Sequence, residues 1–414
     1  MLNVVWLLFF VVAFLAASYQ LLWHGNGQYF NDCVQAMFGS ARAGFELALY
    51  LTAVMTLFLG ILKCAEDAGL VRILSRAVTP LFKRLMPEVP EGHPAFSSIT
   101  MNMAANFLGL GNAATPLGLK AMKDLQEVNP HTDKAVASNA QILFLVLNTS
   151  SVTLIPVTIL AYRNELGSLN PTSVFIPIIL ATSCSTLIGL LVVAAVQRIK
   201  LWDPVVLAYL GSAAAVILGI AAYFSSLDEA SLQTQSTIAA NVMLFGLVVF
   251  FLVAAWVAKV PVYESFVEGG KEGFQIAVRI IPYLVGMLVA IGVFRASGVM
   301  DATLDLIASS VAYMGLDPRF VDGLPTALMR PFTGGGSSGL MVDTMTTHGP
   351  DSFAGNLSSI VFGSTETTFY VLAVYFGSVG VSKTRHAVPC GLAADAAGIV
   401  AAILLTYLFF PNAT

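Results

Sequence analysis

Four short polar clusters interrupt an otherwise apolar chain, and they hold the residues best able to bind a solute at membrane depth. The first is in "NMAANFLGLGNAATPLGLKAM", with Asn102, Asn106, Asn112 and Thr115. The second, "LNTSSVT", offers Asn148, Thr149, Ser150 and Ser151. The third, "MRPFTGGGSSG", carries Arg330, Thr333, Ser337 and Ser338, and the fourth, "GSTETT", carries Ser364, Thr365, Glu366, Thr367 and Thr368. Amides, hydroxyls, one guanidinium and one carboxylate make a set suited to holding a polar solute through hydrogen bonds. Glu366 is the most informative member, because an intramembrane carboxylate commonly holds a proton, a cation or a polar ligand group. Its own span, "IVFGSTETTFYVLAVYF", supplies hydroxyls but no basic residue within a turn. It is therefore expected either to stand unpaired and exchange a proton, or to meet Arg330 across a cavity. Asp395 in "GLAADAAG" and Asp343 beside the third cluster are further coupling-ion candidates, and Asp343 could pair with Arg330.

The same residues argue against catalysis. Ser337 and Ser338 lack a nearby His and Asp, and "TGGGSSG" is followed by no GK[ST]. The four cysteines (Cys33, Cys64, Cys184, Cys390) form no CxxC, and the histidines show no HExxH spacing. The expectation is a protein that is not an enzyme, with no catalytic residues, no metal and no cofactor. Small hydroxyl and glycine residues also serve plain helix packing, where such hydrogen bonds contribute only ~0.6–2 kcal/mol. That accounts for an isolated Ser or Thr, but not for Asn, Glu and Arg gathered in four clusters.

The elements that would position these clusters are transmembrane helices. Only 11% of the 414 residues are charged and 57% are hydrophobic, with a mean hydropathy of +0.80; soluble chains carry about 25% charge. Nucleic-acid binding is excluded, because the 20 Lys and Arg form no basic patch. Apolar runs fall near 3–23, 44–62, 139–160, 172–197, 205–224, 239–258, 276–293, 357–377 and 387–410. The first, "MLNVVWLLFFVVAFLAASYQLLW", lacks a basic leader and is expected to be a retained span. With a cytoplasmic N-terminus, inner segments hold fifteen Lys and Arg, leaving Arg42, Arg163, Arg295, Arg319 and Arg330 outside. That count requires 96–134 and 320–355 to enter and leave on the same side, as re-entrant hairpins whose irregular tips line a cavity.

Internal repetition supports the same picture. Residues 44–69 align without gaps to 273–298, then 102–122 to 325–345, then 148–155 to 363–370. Five spans separate the two starts, so the second copy should run in the opposite direction, an inverted-topology repeat with broken helices near the midplane. Residues 68–86 form a basic amphipathic helix with Arg72, Arg76 and Lys83, whereas the counterpart 299–313 carries Asp301 and Asp305 and no base. The fold class is therefore an all-α polytopic membrane protein, an inverted repeat with two re-entrant hairpins and broken transmembrane helices.

"NMAANFLGLGNAATPLGLKAMKDLQ" with "LVLNTSSVTLIP" resembles the bacterial spore maturation protein A family. "LPTALMRPFTGGGSSGLMVDTM", "GPDSF" and "GSTETTFYVLAVYFGSVGVSKTRHAVPCGLAAD" resemble spore maturation protein B. The chain looks like a fusion of the two, with an A-like repeat over 1–200 and a B-like repeat over 201–414. The resemblance extends to the nucleoside-recognition (gate) domain shared with concentrative nucleoside transporters and a ferrous iron transporter. In nucleoside transporters the first hairpin carries a Gln-Thr-Glu element; here that tip is "GNAATPLG", and "GSTE" stands instead at Gly363 to Glu366. The resemblance implies a transporter-like core, expected in a bacterial inner membrane, and the Lys and Arg distribution puts the C-terminus on the periplasmic or extracellular side. The expected function is a secondary transporter or permease for a small polar organic solute, nucleoside-like or an organic anion held by Arg330. The alternative is a membrane scaffold or lipid-handling component of envelope or spore maturation. The expected partners are that solute and the lipid bilayer, with homo-oligomer formation compatible with either reading.

Overall fold

The computed structural model describes residues 2–109 and 111–413, leaving out the side chains of residues 2, 3, 5, 111–113, 229, 230, 233 and 279. Among the described residues every extended element is helical, as lipid demands of a chain that must satisfy its backbone internally. Eight helical stretches among the described residues are long and apolar enough to cross a membrane. The first half comprises α1 (Leu2–His24), α2 (Gln28–Asp67), α3 (Leu70–Leu85), α4 (Ala95–Leu108), α5 (Gly111–Glu127), α6 (Asn139–Thr149), α7 (Val157–Glu165) and α8 (Phe175–Gln197). After α9 (Pro204–Ser225) and α10 (Glu229–Val257), the second half repeats the series from α2 onward. It runs through α11 (Val262–Ala296), α12 (Val299–Tyr313), α13 (Leu324–Met329), α14 (Gly334–His348), α15 (Phe353–Ser364), α16 (Thr368–Ser378) and α17 (Ala387–Phe409).

The aligned glycines explain how each copy begins. Gly69 ends α2 at φ +78° and Gly298 ends α11 at φ +77°, a left-handed conformation that glycine adopts without steric cost. Each releases the chain into a separate surface helix, α3 or α12, as the sequence anticipates.

The direction of the repeat is visible where α2 packs on α11. A Cβ added at Gly44 would meet Val285 at its Cα, and one at Gly273 would lie 2.5 Å from the Met55 carbonyl and 3.0 Å from Thr56 Cα. Ser40 crowds Gly292, and Lys63 crowds Gly269. In the sequence alignment Gly44 is the equivalent of Gly273 and Thr56 of Val285, so each contact recurs with its members exchanged. The same holds for Ser40 with Gly269 and Lys63 with Gly292. Such exchange marks a two-fold axis between equivalent helices, and the meeting of early residues with late ones, Ser40 with Gly292 and Lys63 with Gly269, marks the helices as antiparallel. The repeat is inverted.

Glycine lets these two long helices approach backbone to backbone. We predict that Gly273→Leu lowers stability by about 1–3 kcal/mol, the usual cost of overpacking. Gly246→Leu on α10, with open space around it, should leave the thermal melt of the detergent-purified protein unchanged. Equal melts for the two variants would remove the glycine seam as a structural determinant.

The two polar-interrupted runs read as spans, 139–160 and 357–377, are each divided. The first splits into α6 and α7 around residues 150–156, and the second into α15 and α16 around 365–367. Each re-entrant hairpin, α4–α5 and α13–α14, reaches the break of its own half. The first is held in a core of Phe96, Ile99, Met122 and Leu125 against Leu143 and Val146. The second packs Met341, Val342 and Met345 against Leu357, Ile360 and Tyr162. Helices α8 and α17 lie side by side, with Gly189 against Ala394 and Gly398 against Ser185 and Thr365.

Candidate functional site

Four helix breaks meet in the middle of the molecule, and backbone hydrogen bonds tie them together. Leu154 N donates to Phe107 O at 2.8 Å, joining the first break to the first hairpin tip. Phe369 N donates to Pro331 O at 2.9 Å, joining the second break to the second tip. Leu154 and Phe369 occupy equivalent positions, and the two acceptors differ by one place, Pro331 following the Arg330 that is equivalent to Phe107, so each half makes the same kind of tie. A third bond, Glu366 N to Thr149 O at 2.7 Å, crosses between the halves.

A broken helix leaves carbonyls with no partner on its C-terminal side, and the sequence supplies one for each. On α8, Thr182 Oγ1 donates to Ser151 O at 3.1 Å, and Thr186 donates to Ser150 O. These two threonines, in "LATSCSTLI", went unnoticed in the sequence, although hydroxyls spaced by four within an apolar run were a visible signal. At the other break Arg330 Nε donates to Thr365 O at 2.7 Å, placing a cation at the C-terminal end of α15, where the helix dipole favours it.

Arg330 also lies 4.1 Å over the Phe362 ring and reaches Glu366, Nη2 to Oε2, at 3.3 Å. Glu366 is therefore not unpaired: the second hairpin delivers the base that its own helix lacks. The guanidinium is buried, whereas the Glu366 side chain is 49% exposed, into a cavity of about 240 Å³. The walls are mostly apolar, from Met55 and Leu59 of α2, Ile155 of the first break, Val157 and Ile159 at the start of α7, and Ile276 of α11. Gly109 of the first hairpin and Thr153 also line it. Of the residues singled out in the sequence, Arg330 and Glu366 line this cavity. Its apolar walls were missed, since nothing distinguishes them locally from lipid-facing positions.

The amides are committed elsewhere. Asn102 Nδ2 donates to Ala114 O at 2.7 Å, Asn106 Nδ2 to Asn148 Oδ1 at 2.8 Å, and Asn148 Nδ2 to Phe144 O at 2.9 Å. Tyr375 approaches Asn148 with its hydroxyl at 3.5 Å and lies against Gly118, where any Cβ would collide with it. This network locks the first hairpin to α6 and α16. Thr149 and Ser150 return their hydroxyls to Val146 O, and Ser364 returns its own to Val361 O. Thr333 Oγ1 accepts from Gly336 N as the N-cap of α14, while Ser337 and Ser338 donate to Gly334 O and Gly335 O. The side chain of Asn112 lies outside the described residues. Thr115 is exposed, Thr367 is buried against Gly334, and Thr365 Oγ1 is buried without a hydrogen-bond partner.

The two aspartates separate. Asp343 does not pair with Arg330; Arg295 of α11 binds it, Nη2 to Oδ2 at 2.6 Å. Asp395 accepts from Thr368 at 2.7 Å and keeps its other oxygen buried and unpartnered.

Each face of the assembly is closed by an interlock between loops of opposite halves. On one face Ala137 N donates to Lys383 O, and Ser382 N and Lys383 N both donate to Ala135 O. Lys383 adds an exposed ion pair with Asp133 at 2.8 Å. The Lys383 ammonium holds the Asp133 carboxyl below the ordinary carboxylate range, so this pair persists until the pH falls through that lowered value. On the other face Arg163 is fully buried. It donates to Pro350 O at 2.6 Å, Pro171 O at 3.2 Å and Asp351 Oδ1 at 2.8 Å. Asp351 in turn accepts from Leu169 N at 2.8 Å.

Residues 48–169 and 277–382 match the profile of a protein family described as Gate, nucleoside recognition. The chain belongs to the nucleoside-recognition Gate family. The two matched Gate segments start at corresponding places in α2 and α11, and each takes in one hairpin and one broken helix. The chain is also similar to spore maturation protein B of Bacillus subtilis (strain 168), 48% identical over 183 residues, covering 44% of this chain and 96% of that protein. It is 40% identical to spore maturation protein A of the same organism over 185 residues, covering 45% of this chain and 90% of that protein. No solved structure matches it. The Gate profile and the apolar helices make this a multi-pass membrane protein of a transporter-like family.

Proposed function

We propose that this Gate protein is a secondary transporter or permease for a small polar organic solute in the bacterial inner membrane. It would act by alternating access, with the two repeats, 1–200 and 201–414, moving against each other. It carries out no covalent chemistry in this reading. One observation carries it: four helix breaks, two from each inverted copy, surround a single cavity holding a buried guanidinium and a carboxylate. Exposed backbone at membrane depth is tolerated where it lines such a cavity, and inverted repeats exchange their roles between two orientations. The names of the two relatives favour a second reading, a non-transport role in envelope or spore maturation.

The decisive test is a thermal-shift screen of the detergent-purified protein against nucleosides, nucleobases, carboxylates and phospholipids. Any hit is then offered to proteoliposomes. Saturable uptake with counterflow supports transport, whereas stabilisation by phospholipid alone, with no uptake, favours the second reading. Topology is checked separately with the N-terminus placed in the cytoplasm. On a Cys-free background, Ser226→Cys should react with an impermeant thiol reagent in intact cells, and Arg76→Cys only after the inner face is opened. Labelling of both from one side would sink the assigned orientation.

A further inference from the structure

The cavity is charged but neutral overall, and that combination narrows the solute. We infer that the site binds a small zwitterion with an apolar side chain, of the α-amino acid class. This inference rests on the transporter reading for its purpose but concerns binding alone.

Three observations carry it. First, Arg330 and Glu366 meet through one contact of 3.3 Å, Nη2 to Oε2, not through the paired, parallel bonds that make such bridges strong. Arg330 is held in place independently, by Thr365 O through Nε and by the Phe362 ring against its face. Glu366 is half exposed to the cavity. The carboxylate can therefore swing away while the guanidinium stays, so the pair can open without dismantling its surroundings.

Second, an opened pair offers a guanidinium fork and a carboxylate side by side, and a desolvated charge needs a counter-charge. A solute carboxylate suits the remaining N–H donors of Arg330, and a solute ammonium suits Glu366. An organic anion would satisfy Arg330 but leave Glu366 facing like charge. An amine would do the reverse. Only a solute carrying both signs keeps each group compensated. The positions equivalent to Arg330 and Glu366 in the first copy are Phe107 and Ser151. The charge pair is therefore not part of the repeated scaffold, which would need it twice.

Third, most of the remaining wall is aliphatic, from Met55, Leu59, Ile159 and Ile276, with Thr153 and Thr158 beside them. A cavity of about 240 Å³ has room for roughly eight water-sized groups at ~30 Å³ each. That accommodates a branched aliphatic amino acid.

The test compares one zwitterion with its two half-molecules on the unmodified, detergent-purified protein. L-Valine, isobutylamine (ammonium only), 3-methylbutanoate (carboxylate only) and uridine are titrated by calorimetry and thermal shift. Valine should bind at least tenfold more tightly than either half-molecule. In Glu366→Gln, where the site carries a net positive charge, the order should invert, with 3-methylbutanoate the tighter ligand. The unmodified protein decides the matter even if that variant folds poorly. Binding of 3-methylbutanoate or uridine as tight as that of valine would overturn the inference, as would no detectable binding of valine. Valine that binds but is not taken up by proteoliposomes supports the zwitterion site and removes the transport reading. Uptake of another solute without valine binding does the opposite.

Discussion

Replacing Arg163 with methionine should cost the folded state about 3–5 kcal/mol, as loss of one member of a buried ion pair does. The hydrocarbon stem is replaced well enough, but the polar groups gathered around the guanidinium lose their donor. Pro350 O and Pro171 O are left without their Arg163 N–H, and Ser359, Ser168 and Ser173 lose a neighbour. Each orphaned buried acceptor costs ~1–3 kcal/mol. Asp351 contributes less to the penalty, since its side chain is 40% exposed and can hydrate. The comparison is Lys383→Met on the opposite face. That pair is exposed on both sides, at 65% and 52%, and the interlock there is mainly backbone. Its loss should leave the melt unchanged. A thermal melt of both variants checks this, and equal melts would mean that the buried clamp contributes nothing beyond an exposed one. The asymmetry has a direction: the face held by exposed groups and backbone is easier to part than the face held by a desolvated guanidinium.

The second large effect concerns Arg330 and Glu366. Glu366→Gln should cost roughly 2–3 kcal/mol, below the ~3–5 kcal/mol of a fully buried pair, because the carboxylate is half exposed. Arg330→Met should cost at least as much, since it also removes the donor to Thr365 O at the C-terminal end of α15. Together the two substitutions should be less harmful than their sum, because neither partner is then left charged without the other. A double-mutant cycle on thermal stability should show coupling of about 1–3 kcal/mol. Strict additivity would falsify the pairing as an energetic interaction.

The fold was largely legible because its signals are local or repeated. Gly69 with Gly298, and the basic α3 opposite the acidic α12, are features that an aligned pair of sequences displays without coordinates. The breaks were legible for the same reason: "NTSSVT" and "GSTETT" place polar residues where a continuous apolar helix has no use for them. Partner choice was not. Asp343 could reach Arg330 along the sequence, yet the register of α14 against α11 hands it to Arg295. Asn102, Asn106 and Asn148 look like solute ligands by type, but Asn106 bonds Asn148 to fasten the first hairpin to α6, and Asn102 ties α4 to α5 within that hairpin. The apolar cavity wall was invisible because Met55 or Ile276 looks identical in sequence whether it faces a cavity, a helix or lipid. In each case the missing information was which surfaces of distant helices meet.

The glycine seam between α2 and α11 carries a consequence for the birth of the protein. Ribosomes add about 5–20 residues per second, and roughly 200 residues separate the two helices, so α2 waits on the order of 10–40 s for its partner. Throughout that interval Gly44 and Gly60 present bare backbone to lipid or to the insertion machinery, and the first copy cannot close on itself. Assembly is thus governed by the last half made, not by the first. A chain terminated after α10 should be cleared by membrane proteases, and pulse-chase labelling would show it; co-expression of the remaining segment should protect it.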